Sequence, residues 1–186
     1  GNRYPNNEDR IKCRNNFITS LTDGKINTKE LFPHEIIKKV SNTSCSTIDK
    51  FVSNAQWKSI IQNIKDQLQE KNKKTLGNLI PLVDVSGSMY GTPLEVAMGL
   101  GLIISELTNE QYRDRILTFE SNPRWHKVNR ETTISEKVES LLKAPWGGST
   151  DFTKAMDMIY YIVESNKLSI EDVPDLIVFT DMQFDV

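Results

Sequence analysis

Apolar residues follow two different rhythms along this 186-residue chain. Over the first 75 residues the rhythm is helical wherever one exists. Residues 1–25 are polar, rich in Asn and Arg and almost aperiodic, and Gly1 to Asp9 are expected to fray. Leu31, Ile36, Ile37 and Val40 mark a short helix, and Pro33 suits its first turn, where a missing N–H costs nothing. The Ser/Thr/Asn cluster from Ser41 to Thr47 reads as a loop. Trp57, Ile60, Ile61, Ile64 and Leu68 then recur at helical spacing, with Ser53 or Asn54 as cap candidates. That stripe, Trp57 included, reads as packing, and it dissolves into the polar run Glu70 to Lys74.

From Leu76 onward the rhythm changes. Leu79 to Val83 is a continuous apolar run ending at Asp84, the pattern of a strand buried on both faces. Thr92-Pro93-Leu94-Glu95 opens a helix that continues to Leu107, with Thr92 as the cap, Pro93 in the first turn and Glu95 completing a capping box. Gly99 and Gly101 weaken that helix but allow close approach to a neighbouring strand. Arg115 to Phe119 and Arg124 to Val128 read as strands, divided by a turn at Asn122-Pro123. Ile134 to Leu142 is helical, Trp146 to Thr150 is a glycine loop, and Phe152 to Glu164 is an amphipathic helix. Asp175 to Thr180 is a last apolar strand. Strands alternating with amphipathic helices predict an α/β fold of the Rossmann-like kind, a mainly parallel sheet with helices on both faces. The predicted organisation is a helical segment over 1–75 and an α/β domain over 76–186.

Composition narrows the classes. Ordinary apolar and charged fractions of 38% and 26% exclude a disordered chain. No run approaches the roughly 18 apolar residues of a membrane span, and nothing resembles a signal peptide. Cys13 and Cys45 are too few for a disulfide scaffold, so an intracellular, cytoplasmic setting is expected. The net charge of −2 hides an asymmetry. Residues 1–75 hold 14 Lys/Arg against 8 Asp/Glu, a net +6, whereas residues 76–186 hold 9 against 17, a net −8. An acidic half suits a cation. The basic excess is spread out, without a compact run or interleaved aromatics, and points only weakly to RNA.

The candidate chemistry lies at strand ends, where open α/β sheets bind ligands. Asp84-Val85-Ser86-Gly87-Ser88 leaves a buried strand, and Gly87 permits a tight bend that turns alternate residues toward one point. One carboxylate and two hydroxyls are hard oxygen ligands, the kind that small octahedral Mg²⁺ takes. Gly147-Gly148-Ser149-Thr150 offers a further hydroxyl before a helix, and Phe179-Thr180-Asp181 a second carboxylate at another strand end.

D-V-S-G-S-M, then G-G-S-T-D, then F-T-D resembles the metal-ion-dependent adhesion site of von Willebrand A (vWA) domains. The resemblance implies a vWA fold and one divalent cation, Mg²⁺ or Mn²⁺, held by Asp84, Ser86 and Ser88, with Thr150 as the distant Thr and Asp181 as the distant Asp. Thr153 is the less favoured substitute for Thr150. A narrower similarity, through D-V-S-G-S-M-Y-G-T-P-L, L-G-L-I-I-S-E-L, L-T-F-E-S-N-P, W-G-G-S-T-D-F and F-T-D-M-Q-F-D, is to an uncharacterised family of eukaryotic and viral proteins. Its members join a helical region to a C-terminal vWA-like domain, an arrangement similar to Ro-type RNA-binding proteins. A full vWA sheet continues beyond the distant Asp, whereas this chain ends at Val186. A C-terminally truncated domain is therefore expected, with Asp175 to Thr180 as an exposed edge.

The expected function is a non-catalytic, metal-dependent interaction module whose cation is completed by a protein partner's Asp or Glu carboxylate. The enzyme rival is a phosphotransferase of the haloacid-dehalogenase type, imitated by Asp84 with the Asp181/Asp185 pair. That chemistry needs a general acid/base carboxylate where Ser86 stands, and serine cannot hold a proton near neutral pH. A serine hydrolase lacks both the G-x-S-x-G elbow and a placed histidine. An RNA-binding accessory role rests on the basic N-terminal half and the Ro-like arrangement. The plainer readings are that Asp84 caps the next helix, Asp151 caps its own, and Asp185, His34 and His126 are structural or solvated. Met89, Met98, Met156 and Met158 read as packing residues.

Overall fold

The computed structural model describes residues 6–22, 31–119, 123–143 and 152–182. Three helices come first: α1 (Glu8–Thr22), α2 (Pro33–Ser41) and α3 (Thr47–Glu70). Then follow β1 (Leu79–Asp84), α4 (Thr92–Leu107), β2 (Arg115–Phe119), β3 (Arg124–Lys127), α5 (Ile134–Leu142), α6 (Phe152–Ser165) and β4 (Asp175–Phe179). The four strands form one mixed sheet in the order β3-β2-β1-β4. β1 runs parallel to β2 and β4, while β3 returns antiparallel to β2. The fold is therefore α/β with a mainly parallel sheet, and β4 is an edge strand among the described residues. Among those residues no helix is long and apolar enough to cross a membrane.

The continuous apolar run of β1 is explained by burial on both faces. Ile80 and Leu82 pack with Leu117, Ala155 and Ile159 beneath α6. Val83 packs on the other face with Met98, Leu102, Ile116 and Val138 beneath α4 and α5. Ile36, Ile37, Val40, Trp57, Ile60 and Ile61 of α2 and α3 belong to that second cluster, so the N-terminal helices share a core with the sheet. Gly101 makes the approach of α4 to β1 possible. A Cβ there would lie 2.8 Å from Cγ2 of Val83, closer than carbon atoms tolerate.

Three helix starts differ from the sequence expectation. α1 forms where periodicity is slight, and most of its surface stays exposed, with Leu21 buried. α3 begins well before Ser53, because Ser46 accepts a hydrogen bond from the Asp49 N–H at 3.1 Å and caps the helix there. Ser53 is then a buried helical residue, and Asn54 Oδ1 instead accepts from the Ile134 N–H at 3.2 Å, tying α3 to the start of α5. For α4 the cap is Gly91, at φ 93° and ψ −139°, and not Thr92. Only glycine occupies that region readily, and the Glu95 N–H donates to the Gly91 carbonyl at 3.1 Å. No capping box forms, and Glu95 Oε2 is buried without a hydrogen-bond partner.

A polar tie crosses the helical layer. Trp57 Nε1 and Lys137 Nζ both donate to Glu106 Oε1, at 3.0 and 2.8 Å. It joins α3, α4 and α5 at one carboxylate, and the Lys137 side chain is only 6% exposed. At the far end of α4, Thr108 Oγ1 accepts from the Leu79 N–H at 3.0 Å and sits 2.8 Å from the Gly77 and Leu79 carbonyls. This hydroxyl anchors the entry to β1.

Candidate functional site

β1 delivers Asp84 to the carboxyl edge of the sheet with none of its surface exposed. Its two oxygens are held separately. Oδ1 accepts from the Ser86 N–H at 2.9 Å, which folds the chain back in a short side-chain turn. Oδ2 accepts from the Thr180 hydroxyl at 2.7 Å. Among the described residues no Lys, Arg or His forms an ion pair with this carboxylate.

The segment after Asp84 alternates between core and surface. Val85 and Met89 are buried in the cluster beneath α4, which pins the turn at both ends. Ser86 is half-buried and Ser88 exposed, and their hydroxyl oxygens lie 3.0 Å apart. A 3₁₀ turn over Gly87–Met89 makes the bend. Gly87 itself has no positive φ there. The conformation that requires glycine falls later, at Gly91.

Thr180 is the participant that sequence reasoning passed over. The parallel register pairs Val83 with Phe179, so the next residue of each strand, Asp84 and Thr180, emerges alongside the other. The Thr180 hydroxyl also accepts from the Met182 N–H at 3.0 Å, which turns the chain at the strand end. The signal was present in Phe179-Thr180-Asp181, where attention went to the acid. Asp181 follows on the same edge, exposed to solvent. Asp84, Ser86 and Ser88 are thus brought together at the sheet edge, with Thr180 joining them. Thr150, its neighbour Asp151, and Asp185 lie outside the described residues, while Thr153 is an exposed residue of α6.

The donor set suits a small hard cation. Octahedral Mg²⁺ with bonds of about 2.0–2.1 Å places adjacent ligand oxygens about 2.9 Å apart. The Ser86 and Ser88 hydroxyls are hydrogen-bonded to each other at 3.0 Å, close enough for both to meet one such ion. Among the described residues no three His, Cys, Asp or Glu side chains converge as a metal-binding group, so the set is one carboxylate ringed by hydroxyls.

The remaining titratable groups stand apart. His34 stacks on Phe32 with ring centroids 5.7 Å apart. His126 lies 3.3 Å from the Ser140 hydroxyl through Nε2, and burial pushes its pKa below 6.5, which favours neutral imidazole. Cys13 and Cys45 are both free thiols. Met89 and Met98 are core residues and Met158 packs partly, but Met156 is 41% exposed on α6 and does not serve the core.

Comparison with known proteins places this site within a recognisable stretch of sequence. Residues 78–186 match a family described as "Domain of unknown function (DUF7788)". An uncharacterized protein of Acanthamoeba polyphaga mimivirus is 36% identical over 171 residues, which cover 90% of this chain and 28% of that protein. An uncharacterized protein of the archaeon Methanocaldococcus jannaschii is 27% identical over 163 residues, 86% of this chain and 35% of that protein. The chain therefore spans only about a third of the length of these curated relatives. No solved structure matches it.

Proposed function

The chain belongs to the DUF7788 family, and we propose that within it Asp84, Ser86 and Ser88 serve a vWA-type, metal-dependent interaction module. The module is non-catalytic. Asp181 and Thr150 complete the Mg²⁺ or Mn²⁺ site, the two aspartates acting partly through water. The observation that carries this reading is the wholly buried Asp84 carboxylate, which has hydrogen bonds but, among the described residues, no cationic side chain to balance it. A buried carboxylate is costly unless it is both hydrogen-bonded and charge-compensated. The adjacent Ser86 and Ser88 hydroxyls offer the neutral hard oxygens that a small cation takes.

The residues divide the work. Thr180 and the Ser86 amide orient the carboxylate, each occupying one oxygen and leaving each a further lone pair. Val85 and Met89 hold the turn rigid from below. The hydroxyl ligands are neutral, so an ion that meets the two aspartates partly through water would stay electrophilic and accept a partner's carboxylate in an open position. A mixed sheet with helices on both faces, and the D-x-S-x-S string at its carboxyl edge, support the vWA assignment. Ser86, where an acid/base carboxylate would be needed, argues against phosphoryl transfer.

Water-proton relaxation on the Mn²⁺-loaded protein tests the interaction directly. A short peptide carrying one Glu should displace metal-bound water and lower the relaxation rate, while its Gln counterpart leaves the rate unchanged. A rate insensitive to both peptides would contradict the interaction role. Equal enhancement in Asp84→Ala would contradict the site.

A further inference from the structure

A second site stands at the opposite end of the sheet. In the antiparallel β2–β3 pair, Arg115 faces Lys127 and Leu117 faces Trp125. Directly opposed residues share a face, and Leu117 lies in the cluster beneath α6, so all four side chains belong to that side. There Arg115, Trp125 and Lys127 line a groove of about 240 Å³ closed by Ile162 of α6. Arg115 opens β2, whereas Asp84 pairs with Phe119 at its end, about 13 Å along the strand at ~3.3 Å per residue.

The charge arrangement is unusual for a folded sheet. Like charges placed directly opposite one another repel. Both side chains are exposed, and among the described residues neither Arg115 nor Lys127 has a hydrogen bond or ion pair. The arginines just outside the groove are treated differently. Arg113 binds Glu110 at 2.6 Å, and Arg130 binds Glu110 and Asp114 at 3.1 and 2.7 Å. Glu110 and Asp114 are therefore engaged by these arginines, and two solvent-exposed cations flank a half-buried tryptophan. An anion would remove the repulsion. A planar ring would find apolar lining in the Trp125 indole and the Ile162 side chain. Arg supplies a forked donor suited to phosphate and Lys a mobile point charge. A groove of this size holds about one such unit, phosphate and ring together.

We propose that the Arg115–Trp125–Lys127 groove binds a nucleotide, free or as one unit of a single strand, with the two cations on the phosphate and the indole stacked on the base. The site is independent of the cation site at Asp84, and either can fail without the other.

Calorimetric titration at low salt with AMP, inorganic phosphate and an eight-nucleotide single-stranded oligo(A), each on the intact chain, tests it. AMP is expected to bind at least about tenfold more tightly than phosphate, because stacking on an aromatic ring contributes on that order. Lys127→Glu should weaken AMP binding at least tenfold while leaving Tm equal or higher, since Arg115 then gains an opposite charge across the strands. Arg115→Gln should repeat the weakening without adding a charge. A per-site affinity for oligo(A) above that for AMP identifies the strand as the source of the nucleotide, and equal affinities identify the free form. Phosphate binding as tightly as AMP would overturn the stacking role. AMP affinity unchanged in Lys127→Glu, or no binding of any probe, would overturn the site.

Discussion

Thr180 holds one oxygen of a carboxylate that has no exposed surface, and it does so across strands whose sequence separation is 96 residues. Replacing it with Val keeps the shape and removes the donor. In the presence of a chelator, Thr180→Val should cost about 1–3 kcal/mol in urea unfolding, the penalty for leaving a buried acceptor unpaired. Excess Mg²⁺ should recover part of that loss by neutralising the same oxygen. At this scale the grouping of Asp84, Ser86 and Ser88 was legible, because the three fall within one turn. Thr180 was not, because its role depends on which strand pairs with β1 and in what register. The bend expected at Gly87 is present, although it does not need glycine's special freedom. The 3₁₀ turn needs no positive φ, and the left-handed residue is Gly91, where the chain re-aims into α4.

At the scale of elements, α4 holds β1 in place through a contact that only glycine permits. Gly101→Ala would set a Cβ 2.8 Å from Val83 Cγ2, one residue before Asp84. The better helix propensity of Ala offsets about 1 kcal/mol, and overpacking costs about 1–3 kcal/mol. A net loss of stability is expected in thermal or urea unfolding, together with weaker cation binding as the strand end shifts. Long elements with strong periodicity were readable directly. Residues Leu79 to Val83 reveal a doubly buried strand, and Ile134 to Leu142 a helix whose Thr133–Glu136 capping box is present. Helix starts were less readable, because several polar residues compete to cap. Ser46 prevails over Ser53 and Asn54 since its partner Asp49 lies three residues on, whereas Asn54 finds the start of α5. α1 was missed because its apolar positions form no stripe.

Across the whole molecule, the segment before Leu76 and the sheet domain share one core and are joined by polar ties, among them the one at Glu106. Lys137→Met would leave the Glu106 carboxylate, 16% exposed, with only the Trp57 indole as partner. Removing one member of a buried pair costs about 3–5 kcal/mol, so this variant should melt well below the parent, with altered Trp57 fluorescence. Such long-range ties leave no trace in local pattern, since Trp57, Glu106 and Lys137 each read as ordinary helix residues. The alternation of strands and helices did disclose the α/β class and the mainly parallel sheet. It did not disclose that β3 turns back antiparallel, which depends on the short connection after Phe119 and creates the Arg115–Lys127 juxtaposition. The central claim is that Asp84 organises a site for one divalent cation. Calorimetric titration of Mg²⁺ into the parent chain and into Asp84→Ala tests it most directly. The account predicts one binding event in the parent and none in the variant, with both proteins folded by circular dichroism. Matching Mg²⁺ isotherms for the two folded proteins would contradict it.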